Sequence, residues 1–207
     1  MRNCRKQAIR RRGQIAGGLL ALLILLGACA AGGPPLNSDL IEDRFGSYGV
    51  EVLHEDERRR VSSLYSLTDG TRVTRTHAVV EYLGRPASAI AEVHADIVAG
   101  GSIGLTFRRA GWSIRKQNVF VGELELTPAY AELGERMQLP LPANVAVHQY
   151  LFIVSRDERT YSYARITEVH HPAFLTVAEI ERLYGEVVFD DSNRDSIHDF
   201  LEPPAGK

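Results

Sequence analysis

The sequence predicts an α+β domain, with an antiparallel sheet of about six strands and two or three helices packed on it. Alternating apolar and polar runs rich in Val, Tyr and Thr recur along the chain, separated by turn signals such as Asp69-Gly70. Two of these runs end near a proline, Pro86 or Pro172, and a segment with helical spacing follows each. Strand runs interrupted by one or two helices are typical of an antiparallel sheet with helices on a face.

The first half of the domain is predicted to be a meander followed by helix. Strands are expected over residues 48 to 53, 61 to 67 and 72 to 83. Residues 87 to 99 are predicted to be helical because Ile90, Val93 and Ile97 recur at helical spacing before a Gly-Gly pair. A short second helix is expected over residues 102 to 110.

The second half follows a similar plan. Strands are expected over residues 112 to 126, 145 to 155 and 160 to 169, followed by a helix over residues 176 to 184. Thr176 and Glu179 have the spacing of a capping box at the start of that helix. A ββα-type duplication is an open alternative, because both halves place Pro-Ala between a strand and a helix, although the spacings differ.

The first 28 residues have the composition of a secretory signal peptide. Six basic residues and no acidic residue occupy residues 1 to 12, and residues 15 to 28 are apolar. A 14-residue helix reaches about 21 Å, which is short of the roughly 30 Å hydrocarbon core of a bilayer. We therefore favour a cleaved signal peptide over a permanent anchor helix.

The apolar run ends in Leu26-Gly27-Ala28-Cys29. This motif resembles the lipobox of bacterial prolipoproteins, and the resemblance covers only the N-terminal segment. It implies cleavage between Ala28 and Cys29, a diacylglyceryl group on the Cys29 sulfur and acylation of the new amino group. Two or three acyl chains hold a protein durably at a membrane, whereas one holds it only marginally.

Cleavage at Cys29 would leave an acidic protein with one cysteine. Residues 29 to 207 contain 18 basic and 26 acidic side chains, a formal net charge of −8. Such a domain lacks the positive charge that nucleic-acid binding requires, so no nucleic-acid partner is expected. The other cysteine, Cys4, lies in the leader, so a lipidated Cys29 leaves no thiol for a disulfide.

Three segments are predicted from this pattern: a signal peptide over 1 to 28, a lipidated cysteine and flexible tether over 29 to 38, and a single globular domain with an acidic tail over 39 to 207. The tether is rich in Gly and Pro and lacks periodicity. Ala30, rather than aspartate, follows the cysteine, which in the enterobacterial pattern indicates the outer membrane. The expected location is the periplasmic face of that membrane.

Gly100-Gly101-Ser102-Ile103-Gly104 matches the Gly-x-Ser-x-Gly pattern of serine hydrolases. That chemistry requires the serine on a tight turn directly after a strand, near a histidine such as His170. The preceding residues read as helix, so the glycines are expected to close one helix and Ser102 to cap the next.

Two further patterns concern metal ions. Asp191, Asn193, Asp195 and Glu202 match oxygen-bearing positions of an EF-hand calcium loop, but Ser196 replaces its glycine and two prolines follow. His170 and His171 are the one histidine cluster, and adjacent strand positions point to opposite faces. No metal site and no cofactor are therefore expected, with the four oxygen-bearing residues as weak calcium candidates.

These observations favour a non-enzymatic envelope lipoprotein that binds an envelope protein, a peptide or a lipid near its membrane. The alternative is a small membrane-tethered serine hydrolase that uses Ser102. The two hypotheses differ in whether a histidine lies within hydrogen-bond reach of the Ser102 hydroxyl.

Overall fold

A computed structural model of the chain describes residues 35 to 185 and residue 187. The predicted cleavage and lipidation positions, Ala28 and Cys29, lie outside these residues. So do the weak calcium candidates Asp191, Asn193, Asp195 and Glu202.

The described chain contains six strands and five α-helices. In chain order they are α1 (Asn37–Phe45), β1 (Gly49–Glu55), β2 (Arg59–Thr68), β3 (Thr71–Tyr82), α2 (Ala91–Val98), α3 (Ile103–Arg109), β4 (Ser113–Leu126), α4 (Ala131–Met137), β5 (Ala143–Arg156), β6 (Arg159–His170) and α5 (Val177–Tyr184). Short 3₁₀ turns precede α2 and α4.

The strands form one antiparallel sheet in the order β1-β2-β3-β6-β5-β4. Each half of the chain contributes three consecutive strands, and β3 pairs with β6 at the centre. The helices enter the two halves at different points, because α4 lies between β4 and β5 whereas the first three strands follow one another directly. The symmetric strand order therefore supports the duplication hypothesis, whereas the unequal helix positions speak against it.

Side-chain alternation along the strands gives the sheet two differently covered faces. On one face, the strand residues Val80, Tyr150 and Ile166 pack in a buried cluster with residues of α2 and α3. Ile41 of α1 and Ile180 of α5 pack in a second cluster on the same face. The opposite face is covered by α4, which contributes Met137 to a third buried cluster with Val79, Val147 and Val169. Most of the helical cover therefore lies over one face.

The predicted α+β class and its six-stranded antiparallel sheet are confirmed, and the described residues contain five α-helices rather than two or three. The capping box is also confirmed: the Thr176 hydroxyl accepts a hydrogen bond from the Glu179 amide, and the Glu179 carboxylate accepts one from the Thr176 amide. The tether boundary needs correction, because Asn37 and Ser38 belong to α1 and are buried. Within the described residues, no helix has the length and apolar composition that crossing a membrane requires.

Candidate functional site

Three neighbouring strands bring ionisable side chains together on the face covered by α1 and α5. We call this group the polar cluster: Lys116 on β4, His148 and Tyr150 on β5, and Glu168 and His170 on β6. His148 lies directly opposite Glu168 in the β5–β6 register. Residues two apart on a strand share a face, which brings Tyr150 and His170 to the same surface. Burial of the whole cluster is nearly complete, with Glu168 the most exposed side chain at 6 %.

Glu168 is the centre of the polar cluster. Its Oε1 accepts a hydrogen bond of 3.0 Å from the Tyr150 hydroxyl. Its Oε2 lies 3.6 Å from Lys116 Nζ, 3.8 Å from His170 Nε2 and 4.0 Å from His148 Nδ1. One carboxylate oxygen therefore faces three nitrogens without forming a hydrogen bond to any group in the part of the chain that the structure describes.

The tautomer of His148 follows from its contact with Asn118. His148 Nε2 lies 2.9 Å from Asn118 Oδ1. The Asn118 amide nitrogen donates to the carbonyls of Tyr184 and Gly185, at 2.9 and 3.0 Å, and this fixes which side of the amide is oxygen. His148 Nε2 must therefore donate its proton to Asn118, which leaves the lone pair on Nδ1 facing Glu168.

His170 is held in a similar way by Thr76, whose hydroxyl oxygen lies 3.1 Å from His170 Nδ1. Burial lowers the pKa of His170 to about 4, with Glu168 raising it and Lys116 lowering it by smaller amounts. Burial, then the charges of Lys116 and His170, lower the pKa of His148 well below its ordinary value. Both imidazoles are therefore neutral near pH 7.

Lys116 is surrounded by aromatic rings. Its Nζ lies 4.5 Å from the ring centroid of Tyr150 and 4.4 Å from that of Tyr184. Tyr184 also stacks on His148, with the ring centroids 5.0 Å apart. Ring faces attract an ammonium group by their quadrupole, so α5 closes the polar cluster with a side chain that stabilises the lysine charge.

A cavity of about 60 Å³ adjoins the polar cluster, between the sheet, α1 and α3. Lys116, Tyr150 and Glu168 belong to both. Its other polar lining residues include Asn37, Ser38, Tyr48, Arg60 and Ser102, and its apolar lining includes Val50, Leu64, Val80, Phe152 and Ile166. A space of this size accommodates a few water molecules or a small organic ligand.

Arg60 extends from β2 to the segment that joins α2 and α3. Its side chain is 1 % exposed, and it donates to the carbonyls of Ile97 and Gly101 at 2.7 and 3.0 Å. Its Nη1 lies 3.4 Å from Glu55 Oε2, and its Nε has no hydrogen-bond partner. Arg60 therefore ties two elements together and still has one donor available beside the cavity.

Five buried polar atoms on residues that line the cavity have no hydrogen-bond partner among the described residues. They are Asn37 Nδ2, Ser38 Oγ, Tyr48 OH, Arg60 Nε and Glu168 Oε2. Burial raises the pKa of Tyr48, and the neighbouring Ser102 hydroxyl opposes this shift without reaching hydrogen-bond geometry. Buried polar atoms without partners are rare, and each costs about 1–3 kcal/mol. Because four of the five can donate a hydrogen bond, the cavity complements a group rich in acceptors.

Ser102 follows a helix rather than a strand and occupies the N-cap position of α3, but its hydroxyl makes no capping hydrogen bond. The glycines around it have packing roles. Gly100 adopts a φ of +107°, and a Cβ on Gly101 would lie 2.7 Å from the Asp96 carbonyl oxygen. A Cβ on Gly104 would lie 2.9 Å from a Leu36 methyl group. No histidine is among the described residues that line the cavity beside Ser102, so a serine hydrolase gains no support from this geometry.

The sequence singled out His170 but not the residues gathered around it. The pair His170-His171 separates as expected from strand geometry: His170 is buried in the polar cluster, whereas His171 follows β6 and accepts a hydrogen bond from the Ala173 amide. The missed members were Lys116, His148, Tyr150 and Glu168, and the nearby Arg60 was missed as well. The one available signal was the two-residue spacing of Glu168 and His170, which places both on one strand face.

A second cavity, of about 370 Å³, lies on the opposite face, between the sheet and α4. Its walls include the apolar residues Leu53, Val61, Val79 and Leu133, and His77 also lines it. Burial, together with the charges of Arg136 and Arg59 and against that of Glu132, lowers the pKa of His77 to about 4. His54, on β1, lines the same cavity.

The lowered pKa of His77 predicts a specific acid sensitivity. The unfolded chain takes up a proton on this histidine below about pH 6.5, whereas the folded chain does so only near pH 4. Above pH 6.5, His77 is neutral in both states and does not lower the free energy of unfolding. As the pH falls from 6.5 towards 4, protonation of His77 in the unfolded chain lowers the free energy of unfolding progressively. We expect His77→Gln to reduce the fall in unfolding free energy between pH 7 and pH 4.5 by about 2 kcal/mol, measured by urea denaturation at both pH values. An unchanged pH dependence would contradict this assignment.

Comparisons with known proteins leave the family of the chain open. No protein-family model matches the chain, and no curated protein matches it. Among solved structures, it is similar to the C-terminal domain of PhnF, with 12 % sequence identity and a TM-score of 0.40. That similarity covers 69 % of this chain and 79 % of the PhnF domain.

Proposed function

We propose that this protein is a lipid-anchored component of the bacterial cell envelope whose domain binds a small carboxylate-bearing molecule in the 60 Å³ cavity. The observation that carries the proposal is the excess of unpaired buried donors on Asn37, Ser38, Tyr48 and Arg60. A carboxylate offers about four acceptor sites to such donors. Hydrogen bonds between a charged donor and a carboxylate are about twice as strong as neutral ones.

The charges around the cavity support an anionic ligand. Arg60 and Lys116 are both buried lining residues, and their ion pairs with Glu55 and Glu168 are long, at 3.4 and 3.6 Å. The Arg60 Nε remains unpaired, so a ligand carboxylate would meet a cationic donor without displacing an existing hydrogen bond. Glu168 balances the charge of Lys116 and Glu55 that of Arg60, so the unpaired Nε, rather than a net positive charge, makes Arg60 the principal cationic donor for the ligand.

The size and lining of the cavity define the rest of the ligand. Val80, Phe152 and Ile166 supply apolar surface opposite the polar groups. A site that combines apolar walls with a few placed polar groups is typical of small-molecule binding. A peptide or protein would not fit inside this space, so we favour a small molecule over the macromolecular partners suggested by the sequence.

The lipid anchor places this binding near a membrane. The Leu26-Gly27-Ala28-Cys29 motif supports lipidation at Cys29, and the acidic charge of the remaining chain gives no support for a nucleic-acid partner. Residues 29 to 36 reach at most about 30 Å when extended. The ligand would therefore be bound close to the lipid surface, and we favour the periplasmic face of the outer membrane.

The anchor is tested separately from the ligand. We expect the wild-type chain to sediment with membranes and to incorporate labelled palmitate, whereas Cys29→Ser should lose the label. A matched Cys4→Ser variant should keep both properties, because Cys4 lies in the predicted leader. Equal labelling of wild type and Cys29→Ser would refute the lipid anchor without bearing on the cavity.

The ligand class is tested by thermal denaturation of the purified chain with matched acids and amides. We expect acetate or pyruvate to raise Tm in proportion to the logarithm of its concentration, since a ligand that binds the folded state stabilises it. Acetamide and pyruvamide, which lack the charge, should have little effect. Equal shifts with acids and amides, or no shift with any acid, would contradict the proposal.

Tyr48→Phe should change stability and carboxylate binding in opposite directions. The variant removes a buried hydroxyl that has no hydrogen-bond partner, so the ligand-free protein should gain about 1 kcal/mol of stability. The same change should weaken carboxylate binding about tenfold, because one ligand hydrogen bond is lost. Tyr65→Phe, on the same sheet but outside the cavity lining, is the matched control and should change neither quantity. A less stable Tyr48→Phe protein with unchanged binding would contradict this role.

A further inference from the structure

We propose that His148, Glu168 and His170 form a binding site for one divalent transition-metal ion, with zinc as the best match to the ligand set. This site is distinct from the carboxylate contacts of the proposed function and does not depend on them. It uses the lone pairs of His148 Nδ1 and His170 Nε2 together with Glu168 Oε2.

The first argument is the convergence of three atoms that can bind a metal, with His170 Nε2 offering its lone pair in the tautomer that donates Nδ1–H to the Thr76 hydroxyl. His148 Nδ1, His170 Nε2 and Glu168 Oε2 lie within 4.8 Å of one another, and all three are buried with no hydrogen-bond partner in residues 35 to 185 or residue 187. Lone pairs that face one another repel and are desolvated at the same time. A cation at their common centre would satisfy all three, whereas a water molecule has only two protons to donate.

The second argument is that each ligand is already oriented by an outer partner. His148 donates its other ring nitrogen to Asn118, His170 Nδ1 contacts the Thr76 hydroxyl, and Glu168 Oε1 accepts from the Tyr150 hydroxyl. Metal-binding histidines in proteins nearly always have such a partner on the second nitrogen. The three free atoms are therefore those that these partners direct towards one another.

The three ligand atoms, which lie within 4.8 Å of one another, must move closer together to bind a transition metal. Glu168 Oε2 lies 3.8 and 4.0 Å from the two histidine nitrogens. Tetrahedral zinc with bonds of about 2.0–2.2 Å holds its ligands about 3.4 Å apart. Two imidazoles and one carboxylate are typical zinc ligands, whereas calcium and magnesium prefer oxygen donors alone. Three protein ligands leave at least one coordination position open.

Lys116 competes with a metal ion for Glu168 Oε2. Its ammonium lies 3.6 Å from Glu168 Oε2, too far for a hydrogen bond, and contacts the rings of Tyr150 and Tyr184. A bound metal would take Glu168 Oε2 from the lysine, which would keep its contacts with the two rings. The lysine charge opposes metal binding, so its removal should raise the affinity.

The test uses the purified full chain in detergent, with Cys4 and Cys29 replaced by serine so that no thiol competes for the metal. Cobalt(II) is the probe, because its visible absorption reports coordination by protein nitrogen and oxygen, and zinc is added to displace it. We expect one cobalt ion per chain and a zinc-dependent rise in Tm. His148→Gln and His170→Gln should each weaken cobalt binding at least a hundredfold.

His77→Gln is the matched control, because it changes a histidine in the same sheet on the opposite face, and it should bind cobalt like the parent. Lys116→Met should bind cobalt at least tenfold more tightly than the parent. Because misfolding cannot produce a gain in affinity, this variant tests the site even where a histidine variant does not fold. Absence of cobalt binding in both the parent and Lys116→Met would overturn the site, as would an equal loss in His77→Gln. Tyr48→Phe should leave cobalt binding unchanged, which separates this site from carboxylate binding.

Discussion

Replacing Arg60 by methionine should destabilise the protein by about 3–5 kcal/mol, the cost typical of removing one partner from a buried ion pair. The guanidinium is 1 % exposed and donates to the carbonyls of Ile97 and Gly101. Its loss would leave both carbonyls without this donor and would leave Glu55 without its cation. Because Arg60 also lines the cavity, the carboxylate-dependent rise in Tm should disappear in the variant.

Urea denaturation followed by the fluorescence of Trp112 measures this effect, since that residue is the one tryptophan of the chain and is buried. Arg72→Met is the matched control. Arg72 is 60 % exposed and lies 3.8 Å from Glu51, so its removal should cost no more than about 1 kcal/mol. Similar losses in the two variants would contradict the structural role assigned to Arg60.

Phe107→Ala should cost about 3–5 kcal/mol, the range for truncating a fully buried phenylalanine. Phe107 is 0 % exposed and packs edge-on against Tyr163, with ring centroids 4.8 Å apart. It also contacts Trp112 and Phe152 at centroid distances of 6.4 and 5.8 Å. These contacts hold α3 against the sheet, and α3 contributes Ile103 and Gly104 to the cavity wall. Carboxylate binding should therefore weaken along with stability.

Denaturation of Phe107→Ala is best followed by circular dichroism, because the substituted ring contacts the tryptophan. Leu67→Ala provides the comparison, since Leu67 is 49 % exposed and should lose less than about 1 kcal/mol. A loss below that value in Phe107→Ala would contradict the packing described for α3.

The strands were predictable because their signal is local. Alternation of apolar and polar residues predicted all six strands to within about two residues at each end, and the capping box predicted the start of α5. α1 and α4 were not predicted. In α1, Asn, Ser and charged residues follow a Gly-Pro-rich stretch, and its burial depends on contacts with β2 and α5 that are distant in sequence. α4 has only seven residues and contains Gly134.

The polar cluster was harder to predict because it depends on strand register. The β5–β6 hairpin pairs Arg156 with Arg159 at its turn, and regular pairing from there would place His148 opposite Thr167. The register instead shifts between Phe152 and Ile153, which moves His148 opposite Glu168. A bulge of one residue therefore decides that the histidine and the carboxylate share a face. No local pattern in the sequence specifies that bulge.

The cavity was beyond sequence analysis for a related reason. Its polar residues come from α1, β2, β4, β5, β6 and the segments before β1 and α3, and the two from α1, Asn37 and Ser38, were assigned to the tether. Arg60 appeared in the sequence as part of a basic run, Arg58-Arg59-Arg60, of the kind that usually marks a solvated turn. Burial beneath the α2–α3 segment gives this one arginine a different role.

The most direct test of the carboxylate site is a crystal structure of the protein soaked with the acid that gives the largest rise in Tm. We predict a carboxylate in the cavity, with its oxygens within hydrogen-bond distance of Arg60 Nε and the Tyr48 hydroxyl. The apolar part of the molecule should lie against Phe152 and Ile166. A cavity that holds only water bonded to Arg60 and Tyr48, at saturating acid, would contradict the proposed function.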